Sequence, residues 1–241
     1  SLFVAIKGTI TDGHLYIEDA IRNKANSIIC EVLPTQIYRD VTYIQVSDTQ
    51  KSLAIIASNF YKSPSKKIKL IGVTGTNGKT STVFFLKQLF EKLGNKVGMI
   101  STIHVEINNQ IFDSTHTTHC PIKTNELLGK MVDTGCEYCF MEVSSHGLSQ
   151  NRVFFLDFDI GVFTNISHDH LDYHNSFENY LNSKKSFFDT LSSNAKSIIN
   201  IDDLNFSKLI DNTKSKIIFY GKGKQANNCL LYTSPSPRDS C

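Results

Sequence analysis

The sequence predicts an α/β fold: a small N-terminal α/β domain, then a larger central domain on a mainly parallel sheet covered on both sides. Three observations carry this. From Lys69 to Gly221, apolar runs of strand length alternate with helical stretches, the rhythm of crossover units. A Gly-rich turn, "TGTNGKT", joins the first strand of that series to an amphipathic helix. The stretch "KSPSKK", Lys62–Lys67, separates the two parts as a hinge.

In chain order, "LFVAI", "SIICEV" and "VTYIQV" read as short strands of a first domain, residues 1–62. The stretch "HLYIEDAIRNKA" between them places Ile17, Ala20, Ile21 and Ala25 at helical spacing, and "SLAIIASNFY" is a second helix. The second domain, residues 63–226, opens with the strand "KLIGVTG". The helix "TSTVFFLKQLFEKLG" follows, with Val83, Leu86, Leu89, Phe90 and Leu93 expected on its buried face and Gly94 as its stop. Next come strand "KVGMIST", helix "NELLGKMVDTG", strands "YCFMEVSS" and "IGVFTNIS", helix "SFENYLNSKKSFFDTL", and strands "KSIINID" and "KIIFYG". Residues 227–241, with their Ser-Pro-Ser-Pro, have no periodicity and read as a disordered or non-native tail. The chain starts without Met inside an apolar run, so further sequence is expected before Ser1.

Composition narrows the functional classes. The 241 residues carry 25 basic and 23 acidic side chains, a net charge of +2, and the run Lys66, Lys67, Lys69 is too short for a nucleic-acid face. No apolar run approaches the about 18 residues that span a bilayer, and no signal peptide opens the chain. Six scattered cysteines do not frame a disulfide scaffold. Cys136 and Cys139 have the spacing of a redox or metal pair, but sit where a strand begins and read as buried thiols. The expectation is a cytoplasmic monomer without nucleic-acid or membrane partners.

Four segments carry chemistry. In "TGTNGKT" the turn at Gly75 and Gly78 aims backbone N–H groups at an anion, and the helix N-terminus adds its dipole. Lys79 can neutralise phosphate oxygens and Thr80 can ligate Mg²⁺. The strict phosphate-loop pattern wants glycine where this chain has Val73, so the turn is a variant. In "MEVSSHGLSQNR", Glu142 falls at the end of a strand beside that loop; it is either a solvated surface carboxylate or a buried one that wants a cation. In "FTNISHDHLDYH", His168, His170 and His174 invite zinc, yet Asp169 and Asp172 suit Mg²⁺ with one histidine at most. Lys184 falls on the apolar face of its helix while Lys185 points elsewhere. It either snorkels or is buried, and in the second case its lowered pKa frees the amine for chemistry such as carbamate formation.

Together "TGTNGKT", "EVSSHGL", "FTNISHDHLDYH" and the Lys184 helix resemble the Mur ligase superfamily. The form "MEVSSHGLSQNRV" is similar to the branch that adds the third residue of the peptidoglycan stem peptide, and "LFVAIKGTITDGHLYIEDA" to that branch's UDP-binding domain. The resemblance covers Leu2 to about Gly221. It implies an ATP- and Mg²⁺-dependent ligase: ATP phosphorylates the D-glutamyl carboxylate of UDP-N-acetylmuramoyl-L-alanyl-D-glutamate, and an amino acid's amine displaces phosphate. It also implies a C-terminal ligase domain, absent from these residues.

Residue by residue, the resemblance implies ATP phosphates at Gly75, Thr76, Asn77, Gly78, Lys79, Thr80 and Ser81. It implies Mg²⁺ at Thr80, Glu142 and His170, and at Lys184 once carbamylated, with Lys79, Glu142, His170 and Lys184 as the catalytic set. The muramoyl dipeptide falls to Thr117, Thr118, Ser144, Gln150 and Arg152, and its UDP end to Thr9, Ile10 and Thr11. The chain departs from the family at His119, often Pro there, and at His116, where Asn is common. Diaminopimelate or lysine is the implied third residue. The alternatives are a sibling ligase of the folylpolyglutamate synthetase kind and a nucleotide-binding module without turnover.

Overall fold

The computed structural model describes residues 1–9, 11–169, 171–222 and 228–229. Two sheets are present. The first is wholly parallel, with strands β1 (Leu2–Val4), β2 (Ser27–Cys30) and β3 (Thr42–Gln45) in that order. Helix α1 (Ile17–Arg22) packs on it through Ile17, and Ala5, Ala25, Ile28 and Cys30 complete this small core. Helix α2 (Thr49–Phe60) is capped by Asp48, whose carboxylate accepts from the N–H of Lys51.

The second sheet is built in chain order from β4 (Lys69–Thr74), helix α3 (Lys79–Lys92), β5 (Val97–Ile100), β6 (His104–Ile107) and β7 (Gln110–Asp113). Helix α4 (Pro121–Asp133), β8 (Tyr138–Glu142), the short helix α5 (Ser145–Ser149) and β9 (Ile160–Phe163) follow. Helices α6 (Leu171–His174) and α7 (Phe177–Asp189), β10 (Lys196–Asn200), α8 (Phe206–Ile210), β11 (Lys216–Gly221) and β12 (Asn228–Cys229) complete it. The strand order is β12-β11-β10-β9-β4-β8-β5-β6-β7. Pairing is parallel from β12 to β5 and antiparallel at β6 and β7.

Strand β4 lies between β8 and β9, with Val73 opposite both Glu142 and Val162. That register brings the ends of three strands together where the Gly-rich turn leaves the sheet, the place where parallel sheets collect ligands. One face packs Ile71, Val73, Met99 and Phe140 against Val83 of α3. The other packs Leu70, Met141 and Phe163 against α4 and α7 through Leu128, Met131, Phe187 and Phe188.

Three features differ from the sequence reading. Leu89 and Leu93 are 51% and 67% exposed, not buried. The buried face of α3 runs through Val83 and Lys87, and Lys87 reaches inward to Glu106 on β6 at 2.5 Å, an ion pair that no periodicity of apolar residues encodes. The β6–β7 hairpin was not anticipated; its turn, Asn108-Asn109, has φ of 46° and 65°, the left-handed geometry that Asn tolerates in two-residue hairpins. Asn228–Cys229, assigned to the tail, pairs with β11, while residue 227 and residues 230–241 lie outside the described residues.

Gly72 sets how closely α7 approaches. A Cβ there would stand 2.6 Å from Cζ of Phe187 and 2.8 Å from Phe158. Gly72→Val is expected to destabilise the fold by about 1–3 kcal/mol through overpacking. Urea unfolding checks this; an unchanged midpoint would show that α7 is free to move away.

Candidate active site

The turn after β4 is shaped by Gly75, at φ 154°, where any Cβ would collide with the Thr164 hydroxyl. Residues leaving β9 brace it. The N–H of Thr76 donates to the Asn165 carbonyl at 2.8 Å, that of Asn77 to Asn165 Oδ1 at 3.0 Å, and Thr164 Oγ1 donates to the Asn77 carbonyl at 2.7 Å. Gly78, at φ 83°, turns the chain into α3, so the N-terminal amides of a 14-residue helix stand at the turn. The side chain of Lys79 folds back, donating to the carbonyls of Gly75 at 3.0 Å and Thr76 at 2.7 Å. Burial lowers its pKa, opposed in part by Glu142 and Asp169. Asn77 and Ser81 are exposed.

Glu142, 1% exposed, is held from two sides. Its Oε1 accepts from Thr80 Oγ1 at 2.9 Å and from the N–H of Thr102 at 2.8 Å, and its Oε2 from Thr102 Oγ1 at 3.2 Å. A buried carboxylate next to a hydroxyl at the mouth of an anion-binding turn is a hard-oxygen donor set, and it fits Mg²⁺, which takes few protein oxygens and completes its shell with phosphate and water. Among the described residues no three His, Cys, Asp or Glu side chains gather as a metal cage. His170 lies outside the described residues, while His168 stacks on Phe177 at 4.8 Å.

Lys184 is 1% exposed and sits behind the turn, its Nζ donating to the Gly75 carbonyl at 2.8 Å and lying 4.5 Å from the centre of the Tyr180 ring. The Tyr180 hydroxyl shares a 2.9 Å hydrogen bond with Thr76 Oγ1, tying α7 to the same turn. Burial first, and the charge of Lys79 second, lower the Lys184 pKa to about 7, against an opposing pull from Asp169.

The other predicted residues line one cleft of about 470 Å³ with Lys79, Thr80 and Glu142: Thr117, Thr118, Ser144, Gln150 and Arg152. Thr118 Oγ1 donates to the Glu142 carbonyl at 3.1 Å and accepts from the N–H of Ser144 at 3.0 Å. Ser144 in turn caps α5 through Gly147. Arg152 spends Nε and one Nη hydrogen on Gln150 Oε1, at 2.9 and 2.7 Å, and another on the Thr118 carbonyl at 2.7 Å, so the guanidinium is already oriented. His116 lines the cleft, and His119 is buried, which lowers its pKa. Thr9 and Thr11 lie apart from this cleft, on an exposed turn closed by the Gly8 N–H to the Thr11 carbonyl, and Ile10 lies outside the described residues.

Sequence reasoning missed Thr102, Thr164, Asn165 and Tyr173. The first three follow strand ends, where side chains reach a site in this kind of sheet; Tyr173 binds Gln150 through its hydroxyl at 3.0 Å. A larger cavity, about 580 Å³, lies at the amino ends of the strands around the Lys69–Asp159 ion pair. None of the predicted residues lines it.

A turn that presents helix amides to an anion, a buried carboxylate beside it and a buried lysine behind it, at the carboxyl edge of a mainly parallel sheet, mark an α/β domain with an anion-binding turn. Within that class the chain belongs to the Mur ligase middle domain family, whose model matches residues 73–234. It is 49% identical over 91% of its length to UDP-N-acetylmuramoyl-L-alanyl-D-glutamate–2,6-diaminopimelate ligase of Bacteroides fragilis, covering 45% of that protein. The ligase of the same name from Cytophaga hutchinsonii is 49% identical over 91% of the chain and 46% of the relative. The chain thus spans about half the length of these curated relatives. A solved structure of such a ligase superposes with a TM-score of 0.79 at 23% identity, over 94% of this chain and 47% of that one. A MurF ligase from Thermotoga maritima in complex with ADP shares the fold with a TM-score of 0.55 at 23% identity, over 92% and 47%.

The buried amine has a measurable consequence. Unfolding restores Lys184 toward 10.5, so between about pH 7 and pH 10.5 the unfolded chain binds the extra proton and stability rises with pH. The cost of burying the ammonium is fully present below about pH 7 and gone above about pH 10.5. Lys184→Met should lose this contribution, so thermal unfolding in bicarbonate-free buffer should show the variant gaining least, relative to wild type, at the alkaline end. Parallel stability curves across the window would contradict a buried amine.

Proposed function

We propose that this chain forms the nucleotide- and muramoyl-peptide-binding part of an ATP-dependent ligase of peptidoglycan precursor synthesis. On this reading the enzyme is cytoplasmic and joins 2,6-diaminopimelate to UDP-N-acetylmuramoyl-L-alanyl-D-glutamate. The observation that carries it is the single cleft shared by Lys79, Thr80, Glu142, Thr117, Thr118 and Arg152. The names of relatives at 48–49% identity supply the substrates. We place the division between the UDP-binding and central domains at residues 62 and 63.

The chemistry follows from the residues. ATP gives its terminal phosphoryl group to the D-glutamyl carboxylate, ADP leaves, and the incoming amine attacks the acyl phosphate carbon, expelling phosphate and losing a proton. The amides at the start of α3 bind the phosphates, and Lys79 exchanges its two carbonyl partners for phosphate oxygens as charge moves. Arg152 and Thr118 hold the muramoyl peptide so that its carboxylate lies near the phosphoryl group, which turns an encounter of two molecules into positioning. Thr80 and Glu142, with His170 and a carbamylated Lys184, would hold Mg²⁺, which supplies charge neutralisation at the phosphates.

In the full-length protein, ADP release should require both UDP-N-acetylmuramoyl-L-alanyl-D-glutamate and diaminopimelate, with lysine a poor replacement. Glu142→Ala should lower turnover on the order of 100-fold or more. Lys184→Ala should be as severe and partly rescued by short carboxylic acids. ADP release indifferent to the muramoyl substrate would sink the proposal.

A further inference from the structure

Thr102, on the link between β5 and β6, belongs to none of the predicted sets, yet touches both ends of the cleft. Its N–H donates to Glu142 Oε1 at 2.8 Å. Its hydroxyl stands 3.2 Å from Glu142 Oε2 and 3.0 Å from Thr117 Oγ1. A threonine hydroxyl carries one hydrogen, so these two acceptors compete for it. A buried, ionised carboxylate is the stronger acceptor. A cation bound to Glu142 draws off that charge and tips the hydrogen toward Thr117. Thr117, its oxygen then satisfied from behind, keeps its own hydrogen for the cleft and offers it to an oxygen of a ligand.

We propose that Thr102 is a positioning residue that couples cation occupancy at Glu142 to the hydrogen-bonding state of Thr117. The cleft then takes a carboxylate or carbonyl oxygen of the muramoyl peptide better once nucleotide and cation are in place. This rests on the ligase reading. Thr102 is well placed for the role because its backbone N–H fixes the carboxylate whichever way the hydroxyl turns. The two functions of the residue are therefore separable by substitution: Thr102→Val keeps shape and N–H and removes the hydroxyl that carries the shared hydrogen.

The test is calorimetric binding of UDP-N-acetylmuramoyl-L-alanyl-D-glutamate to the full-length protein, with and without Mg²⁺ and a non-hydrolysable ATP analogue. Wild type is expected to bind it about 5-fold or more tightly in their presence. Thr102→Val should bring that ratio close to one, and Thr102→Ser should restore it. Thr117→Val removes the other partner, should also abolish the ratio, and serves if Thr102→Val does not fold. A ratio preserved in either valine variant, including one whose melting temperature alone falls, overturns the coupling. So does a wild type that binds both ligands independently. A wild type that binds neither ligand removes the ligase reading and this inference with it.

Discussion

The carbonyl of Gly75 accepts hydrogen bonds from two lysines, Lys79 at 3.0 Å and Lys184 at 2.8 Å, and the rest of the site depends on this arrangement. One carbonyl oxygen cannot neutralise two ammonium groups. Burial lowers the pKa of both amines, the charge of Lys79 lowers that of Lys184 further, and the lysine deeper in the protein yields its proton more readily. The outcome is a pair of like side chains in unlike environments: Lys79 at the mouth beside Glu142, and Lys184 behind as an amine that titrates at about 7.

That division requires α7 to be close to the sheet. Phe187 lies over Gly72 and Gly161, where larger residues would hold the helix away, and one turn earlier Lys184 points to Gly75. Tyr180, another turn back, reaches Thr76 and gives its ring to the Lys184 amine. Small residues on the strands and aromatic residues on the helix thus set the burial of this lysine and so its pKa. The packing link and the functional link are the same contact, so a change that loosens the core also resets the charge state of the amine.

Much of this was legible in the sequence, for a definite reason. The alternation of strands and helices, the turn at Gly75 and Gly78, and the apolar stripe that swallows Lys184 are local patterns, and each led to the observed element. The sequence places Glu142 at the end of its strand beside the turn, and its 1% exposure selects the buried of the two readings. What was not legible depended on pairs distant in sequence. Lys87 is buried where Glu106 of β6 meets it; Glu91, four residues on in α3, also pairs with it, but the partner that draws it inward lies on a distant strand. Thr102 becomes part of the site only because β5 lies beside β8, which places its amide against the Glu142 carboxylate. Register between strands is set by tertiary packing, and single-chain periodicity does not contain it.

The cleft also explains why its walls are mostly hydroxyl. Thr80, Thr102, Thr117, Thr118 and Ser144 line the cleft, Thr80 and Thr102 bonding the Glu142 carboxylate itself, and a hydroxyl can serve as donor or acceptor by rotating a single bond. A fixed donor such as lysine would lock Glu142 into an ion pair and oppose release of the carboxylate to any other cation. Around Glu142 each hydroxyl bond is worth a fraction of an ion pair and can be exchanged without leaving a buried charge bare. Lys79 is kept off the carboxylate by its two backbone carbonyls, and the hydroxyls hold Glu142 in place without neutralising it. The negative charge is thereby preserved, buried and oriented, which is the condition a hard divalent cation needs and a salt bridge would remove.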